Sequence, residues 1–156
     1  MYQTYFVAPM RCPRCGAVTA DESTQMVNSL RRRDEPALIR VGDALAEELL
    51  PSRYVTVRRP APDEPAHALE FWSCPVCGLV SWAEVVVEEG RITRIAPVTL
   101  DAAALRDVHY VTLSAADELS ARFGDRVSDG DVLRADLVDE LPGVLPPPEL
   151  APDRRR

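Results

Sequence analysis

The chain has 156 residues, of which 46% are hydrophobic and 28% charged, and its formal net charge is −7. A soluble globular chain of this size buries about 70% of its unfolded surface, so it can build its own core and needs a metal only as a staple. The acidic balance disfavours non-specific nucleic-acid binding, which rests on phosphate neutralisation by Lys and Arg, and suits a basic protein partner.

No secretory signal and no long apolar run stand in the sequence. The expectation is a cytoplasmic protein without a membrane span. Tyr2 to Ala8 is aromatic and β-branched and predicts a strand. It leads into Cys12-Pro13-Arg14-Cys15-Gly16, and Ala17 to Ala20 carries the chain away as the second arm of a short hairpin. Asp21 to Pro36 is polar and holds the run Arg31-Arg32-Arg33, which reads as a solvated loop or as a basic patch.

Ala37 to Val41 predicts a strand ending at Gly42. Asp43 can cap a helix through Leu50, with Pro51 as its stop. Tyr54 to Arg58 alternates like a strand, Pro60 to Pro65 is a loop, and His67 to Ser73 is a further strand. That strand runs into Cys74-Pro75-Val76-Cys77-Gly78. Val80 to Glu88 and Arg91 to Val98 predict a hairpin turning at Glu89-Gly90, with Ile92 and Ile95 on opposite faces of the return arm.

Beyond Thr99 the pattern becomes helical. Asp101 can cap a turn through Val108, a second helix follows from Ser114 to Phe123, and a third from Asp131 to Leu141. The expected organisation is a single α+β domain over 1–143 and a Pro- and Arg-rich tail over 144–156.

The chain has four cysteines, and all belong to the duplicated Cys-Pro-x-Cys-Gly stretch. Two such pairs offer four soft thiolates, the donor set of a tetrahedral metal. Proline pre-sets φ inside each turn, and glycine accepts the positive φ that closes it. Cys12, Cys15, Cys74 and Cys77 are therefore the candidate ligands of one zinc ion. His67 and His109 are not needed as ligands, because four thiolates complete the site. Phe71, Trp72 and Trp82 flank the second motif and read as core packing or as a stacking platform.

The paired motifs resemble the knuckles of zinc ribbons over Tyr5 to Ala20 and Phe71 to Val98. That resemblance implies an antiparallel sheet carrying both knuckles, here with a long insert between them, and a module that binds protein or nucleic acid. The knuckles also look like those of rubredoxin, which makes iron the second candidate metal and electron transfer a further reading. A thiol redox centre would place each pair at a helix N-terminus, whereas both pairs are flanked by strand-like sequence. The duplicated motif is also similar to that of the double-CxxCG family, some of whose members are named toxin-immunity proteins.

No Ser-His-Asp order, phosphate-cradling glycine loop or paired-carboxylate motif stands out. The expected function is non-catalytic: a zinc-binding protein that acts on a protein partner, in the manner of an immunity-type antagonist. The alternative is a nucleic-acid-binding ribbon using Arg14, Arg31, Arg32, Arg33 and Trp72.

Overall fold

The computed structural model describes residues 4–19, 26–28 and 37–112. In chain order these form β1 (Thr4–Phe6), β2 (Met10–Arg11), β3 (Val18–Thr19), β4 (Met26–Asn28), β5 (Ala37–Ile39), α1 (Leu49–Arg53), β6 (Val55–Thr56), β7 (Ala66–Ser73), β8 (Val80–Glu88), β9 (Arg91–Pro97), α2 (Ala102–Asp107) and β10 (Tyr110–Val111). The described part is mainly β-sheet, with short helices. The helices expected over 114–123 and 131–141, the tail 144–156 and the arginines at 31–33 lie outside the described residues. No described helix is long and apolar enough to cross a membrane.

The frame is the meander β7-β8-β9, in which each strand pairs antiparallel with the next. Glu89 and Gly90 both have positive φ, 51° and 73°. That combination is what a two-residue hairpin turn of matching twist requires. The return arm departs from simple alternation. Val86 pairs with Arg94 and Val87 with Ile92, so Thr93 is an inserted residue. This β-bulge brings Ile92 opposite Val87 and Ile95 opposite Val85, and both isoleucines enter the same core. The expectation that they face opposite ways is thus corrected. The Thr93 hydroxyl donates to the Val86 carbonyl at 3.4 Å and anchors the extra residue.

The full sheet has five strands in the order β6-β10-β7-β8-β9, and a smaller one has the order β4-β1-β5. The pairs that carry the two motifs, β2–β3 in a sheet of their own and β7–β8, are antiparallel as expected, but each larger sheet also holds one parallel pair: β10 runs parallel to β7 and β5 parallel to β1. Parallel neighbours need a long crossover. The chain supplies β8, β9 and α2 for one and β2 to β4 for the other.

Alternation along β7 sends its side chains into two cores. Ala66, Ala68 and Trp72 join Phe6, Met10, Ile39, Val85 and Val87 on one face. Leu69 and Phe71 join Trp82, Leu100, Leu105 and Val111 on the other, beneath α2. Asp101 caps α2 as expected, its Oδ1 accepting the Ala104 N–H at 2.8 Å.

The helix expected from Asp43 does not form. α1 begins at Leu49 and holds Pro51 in its first turn, where an N–H has no intrahelical acceptor and proline is tolerated. Asp43 instead accepts the Arg40 N–H at 2.8 Å. The segment around it lies along β9, with Gly42 donating to Ile92 at 2.7 Å and Ile92 to Asp43 at 3.0 Å. The strand expected over Tyr54 to Arg58 shortens to Val55–Thr56, because Val57 and Arg58 turn their N–H groups to the His109 carbonyl.

Candidate metal centre

Each Cys-Pro-x-Cys-Gly stretch folds into the same turn. Cys12 N–H donates to Ala17 O at 2.9 Å, and Gly16 N–H returns to Cys12 O at 3.0 Å. In the second copy Cys74 N–H donates to Leu79 O at 2.8 Å, and Gly78 N–H returns to Cys74 O at 2.8 Å. Gly16 and Gly78 sit at φ of 72° and 76°, the left-handed region that a side chain resists. The first turn is held by β2 and β3, where Met10 pairs with Thr19 and Arg11 with Val18. The second joins β7 to β8, where Ser73 pairs with Val80.

The two turns face one another. Cys12 Sγ lies 3.5 Å from Cys77 Sγ, and Cys15 Sγ lies 3.8 Å from Cys74 Sγ. All four sulfurs fall within 4.8 Å of one another, and none is in a disulfide. A tetrahedral zinc with Zn–S bonds of about 2.3 Å separates its sulfurs by about 3.8 Å. The four cysteines therefore form a cluster of metal-binding dimensions that fits a zinc-ribbon-like site. Cys12 and Cys74 are buried, Cys77 is half-buried and Cys15 is exposed.

The electrostatics favour a cation between the turns. The backbone N–H groups of Cys15 and Arg14 draw the Cys12 thiol down to about 6 against the opposing effect of burial. Those of Cys77 and Val76 lower Cys74 in the same way. At Cys15 the Ala17 N–H favours the thiolate, but burial and the other three sulfurs together push the group up to about 11. Four thiolates side by side repel, and a divalent ion removes that repulsion. The same soft donor set suits zinc and iron.

The aromatic residues flanking the second motif divide between the two cores. Trp72 lies in the same core as Cys12 and Cys74, while Phe71 and Trp82 belong to the opposite one. Both tryptophans are buried, so neither offers a surface for stacking. The indole N–H of Trp72 is the one buried side-chain polar atom without a hydrogen-bond partner among the described residues.

His67 is remote from the metal centre. It stands at the start of β7, seven residues from Cys74, or roughly 23 Å along an extended strand. Its Nδ1 lies 2.7 Å from Glu84 Oε1, and its ring centroid lies 5.6 Å from that of His109. His109 in turn reaches Glu64. This polar cluster and the buried Tyr54–Glu70 pair are absent from the sequence reading, because their members are far apart in the chain and match no motif.

No protein-family model matches the chain, and no curated protein or solved structure matches it.

Proposed function

We propose that the protein is a non-catalytic zinc-binding protein that acts by holding a basic protein partner. The observation that carries the reading is the closed set of four sulfurs on two matching turns. Four thiolates fill a tetrahedral ion, so Cys12, Cys15, Cys74 and Cys77 would leave no coordination position for water or substrate. The metal then serves to fix structure. It ties the β2–β3 hairpin to the junction of β7 and β8 across 59 residues of chain.

Charge supports the nature of the partner. A cleft of about 500 Å³ opens between the segment before α1, the loop before β7 and the β8–β9 turn. Glu47, Glu48, Asp63, Glu64, Glu88 and Glu89 line it, with no Lys or Arg among its lining residues. Such a field attracts cationic side chains and speeds their encounter. The duplicated motif, similar in form to that of the double-CxxCG proteins, fits an antagonist that neutralises a basic target by stoichiometric binding. The nucleic-acid reading loses Trp72, which is buried.

Two measurements test the proposal. Elemental analysis of purified protein should give a single zinc per chain. A fluorescent oligo-arginine peptide should bind with an affinity that falls steeply with salt and collapses in the Glu47→Lys, Glu88→Lys double variant. A zinc-loaded protein that binds the peptide no better than a neutral Gly-Ser peptide overturns the basic-partner reading.

A further inference from the structure

His109 is fully buried, yet both of its ring nitrogens are engaged. Nδ1 lies 2.9 Å from the backbone nitrogen of His67. A backbone N–H can only donate, so Nδ1 must present its lone pair. Nε2 lies 3.1 Å from Glu64 Oε1. A carboxylate can only accept, so Nε2 must carry the proton. Hydrogen-bond complementarity alone thus fixes the neutral imidazole in one tautomer.

The backbone of the same residue joins three segments. Its N–H donates to His67 O at 2.9 Å, and its carbonyl accepts from Val57 at 2.7 Å and Arg58 at 3.3 Å. Beside it, β10 is held between β6 and β7 through only two residues.

We propose that His109 is a proton-operated latch. Uncharged, it clamps the start of β7 to β10 and steadies Glu64 at the acidic cleft. Charged, it sets an Nδ1–H against the His67 N–H, and the clamp is lost. The latch stands independently of the metal centre.

The groups facing His109 decide when it opens. Glu64 favours the cation, and Arg58, which shares that carboxylate at 2.9 Å, opposes it. His67 opposes it too. The hydrogen bond and charge of Glu84 favour protonated His67, as do Asp107 and Glu64. Burial is the largest influence on His109 and holds it below the ordinary imidazole value. His67 is held above that value, chiefly by its hydrogen bond to Glu84. As pH falls, His67 therefore charges first and adds its repulsion to the burial that keeps His109 neutral. Below the ordinary imidazole range His109 follows, the His67 N–H loses its acceptor, and Glu64 is drawn to a cation on its inner side. Mild acid thus loosens the β6–β10 edge and alters one wall of the cleft together.

The test is amide hydrogen exchange at His67, referred to Ala83 in the centre of β8, between pH 7.5 and 5.0. Wild-type protection at His67 should fall relative to Ala83 as pH drops below the ordinary imidazole range, and stay level above it. His109→Asn keeps an acceptor at the Nδ1 position but cannot titrate, and its protection ratio should stay level across the range. A wild-type ratio that does not change, or an equal fall in the variant, overturns the latch. Should the variant fail to fold, ring ¹⁵N shifts of wild-type His109 decide the matter. A bare Nδ1 at pH 7.5 that becomes protonated as the His67 amide loses protection sustains the proposal. A doubly protonated ring with the His67 amide still protected overturns it.

Discussion

The hydroxyl of Tyr54 donates to the carboxyl group of Glu70, and both residues lie inside the core. Glu70 stands on β7 between Ala68 and Trp72 on the face that leads to Cys74, and its exposure is 1%. Burial pushes its carboxyl group up to about 8, only partly offset by the Tyr54 hydrogen bond, and the phenol is raised as well. At neutral pH the pair is therefore a neutral acid and a neutral phenol.

A pH dependence of stability follows. The folded-state value of Glu70 lies above the unfolded one, so the folded protein binds more protons between about 4.5 and 8. The contribution is fully present below about pH 4.5 and is lost as pH rises through 8. Glu70→Gln copies the neutral acid and can still accept from Tyr54. Urea melts should show the variant gaining on wild type with rising pH, by a few kcal/mol at pH 9. Parallel stability curves for the two proteins would mean that Glu70 is charged in the fold.

Removing one ligand should remove the ion. In Cys74→Ser a hydroxyl replaces a soft thiolate and makes a poor zinc ligand at neutral pH. Cys74 is buried within the core shared with Cys12 and Trp72, so metal loss should propagate into that core. The expected outcome is near-zero zinc by elemental analysis and a large drop in melting temperature. Full zinc occupancy in this variant would contradict a four-thiolate site.

The second knuckle offers a test of backbone strain without steric conflict. Gly78 has φ of 76°, and a Cβ built there would meet nothing within 4 Å. Gly78→Ala should thus cost about 1–2 kcal/mol through conformation alone. The same change at Gly16, with φ of 72° and equally open space, should cost a similar amount. Metal affinity measured with cobalt, whose thiolate absorption reports occupancy, should fall in both.

The cap of α2 is a third local device. Asp101→Ala removes the acceptor of the Ala104 N–H and should cost about 1 kcal/mol in a denaturant melt. Asp101→Asn keeps an acceptor and should recover most of it.

Much of the metal centre was legible because its signal is local. Cys12, Cys15, Cys74 and Cys77 each carry the proline and glycine that shape their turns, so the pattern can be read without knowing the fold. The β8–β9 hairpin was legible for the same reason, since Glu89-Gly90 lies between alternating strands. The opposing faces of Ile92 and Ile95 were not, because a bulge at Thr93 depends on pairing with β8 rather than on β9 itself. Pro51 misled in a similar way. A proline ends a helix or begins one, and here it lies in the first turn of α1 beside the fully buried Leu50. His67 and His109 meet across 42 residues and two strands that run parallel, a contact that no local pattern announces.

The sequence separation of 59 between Cys15 and Cys74 sets an order of events during synthesis. At about 5–20 residues per second, the first thiol pair leaves the ribosome roughly 3–12 seconds before the second can follow. During that interval Cys12 and Cys15 stand as half of the proposed metal centre, without the two thiols that would complete it. The meander β7-β8-β9 is made of neighbouring strands and can assemble as soon as it emerges, presenting Cys74 and Cys77 already turned. A nascent chain must therefore keep its first thiol pair reduced and free of stray metal until a preformed second half arrives to receive it.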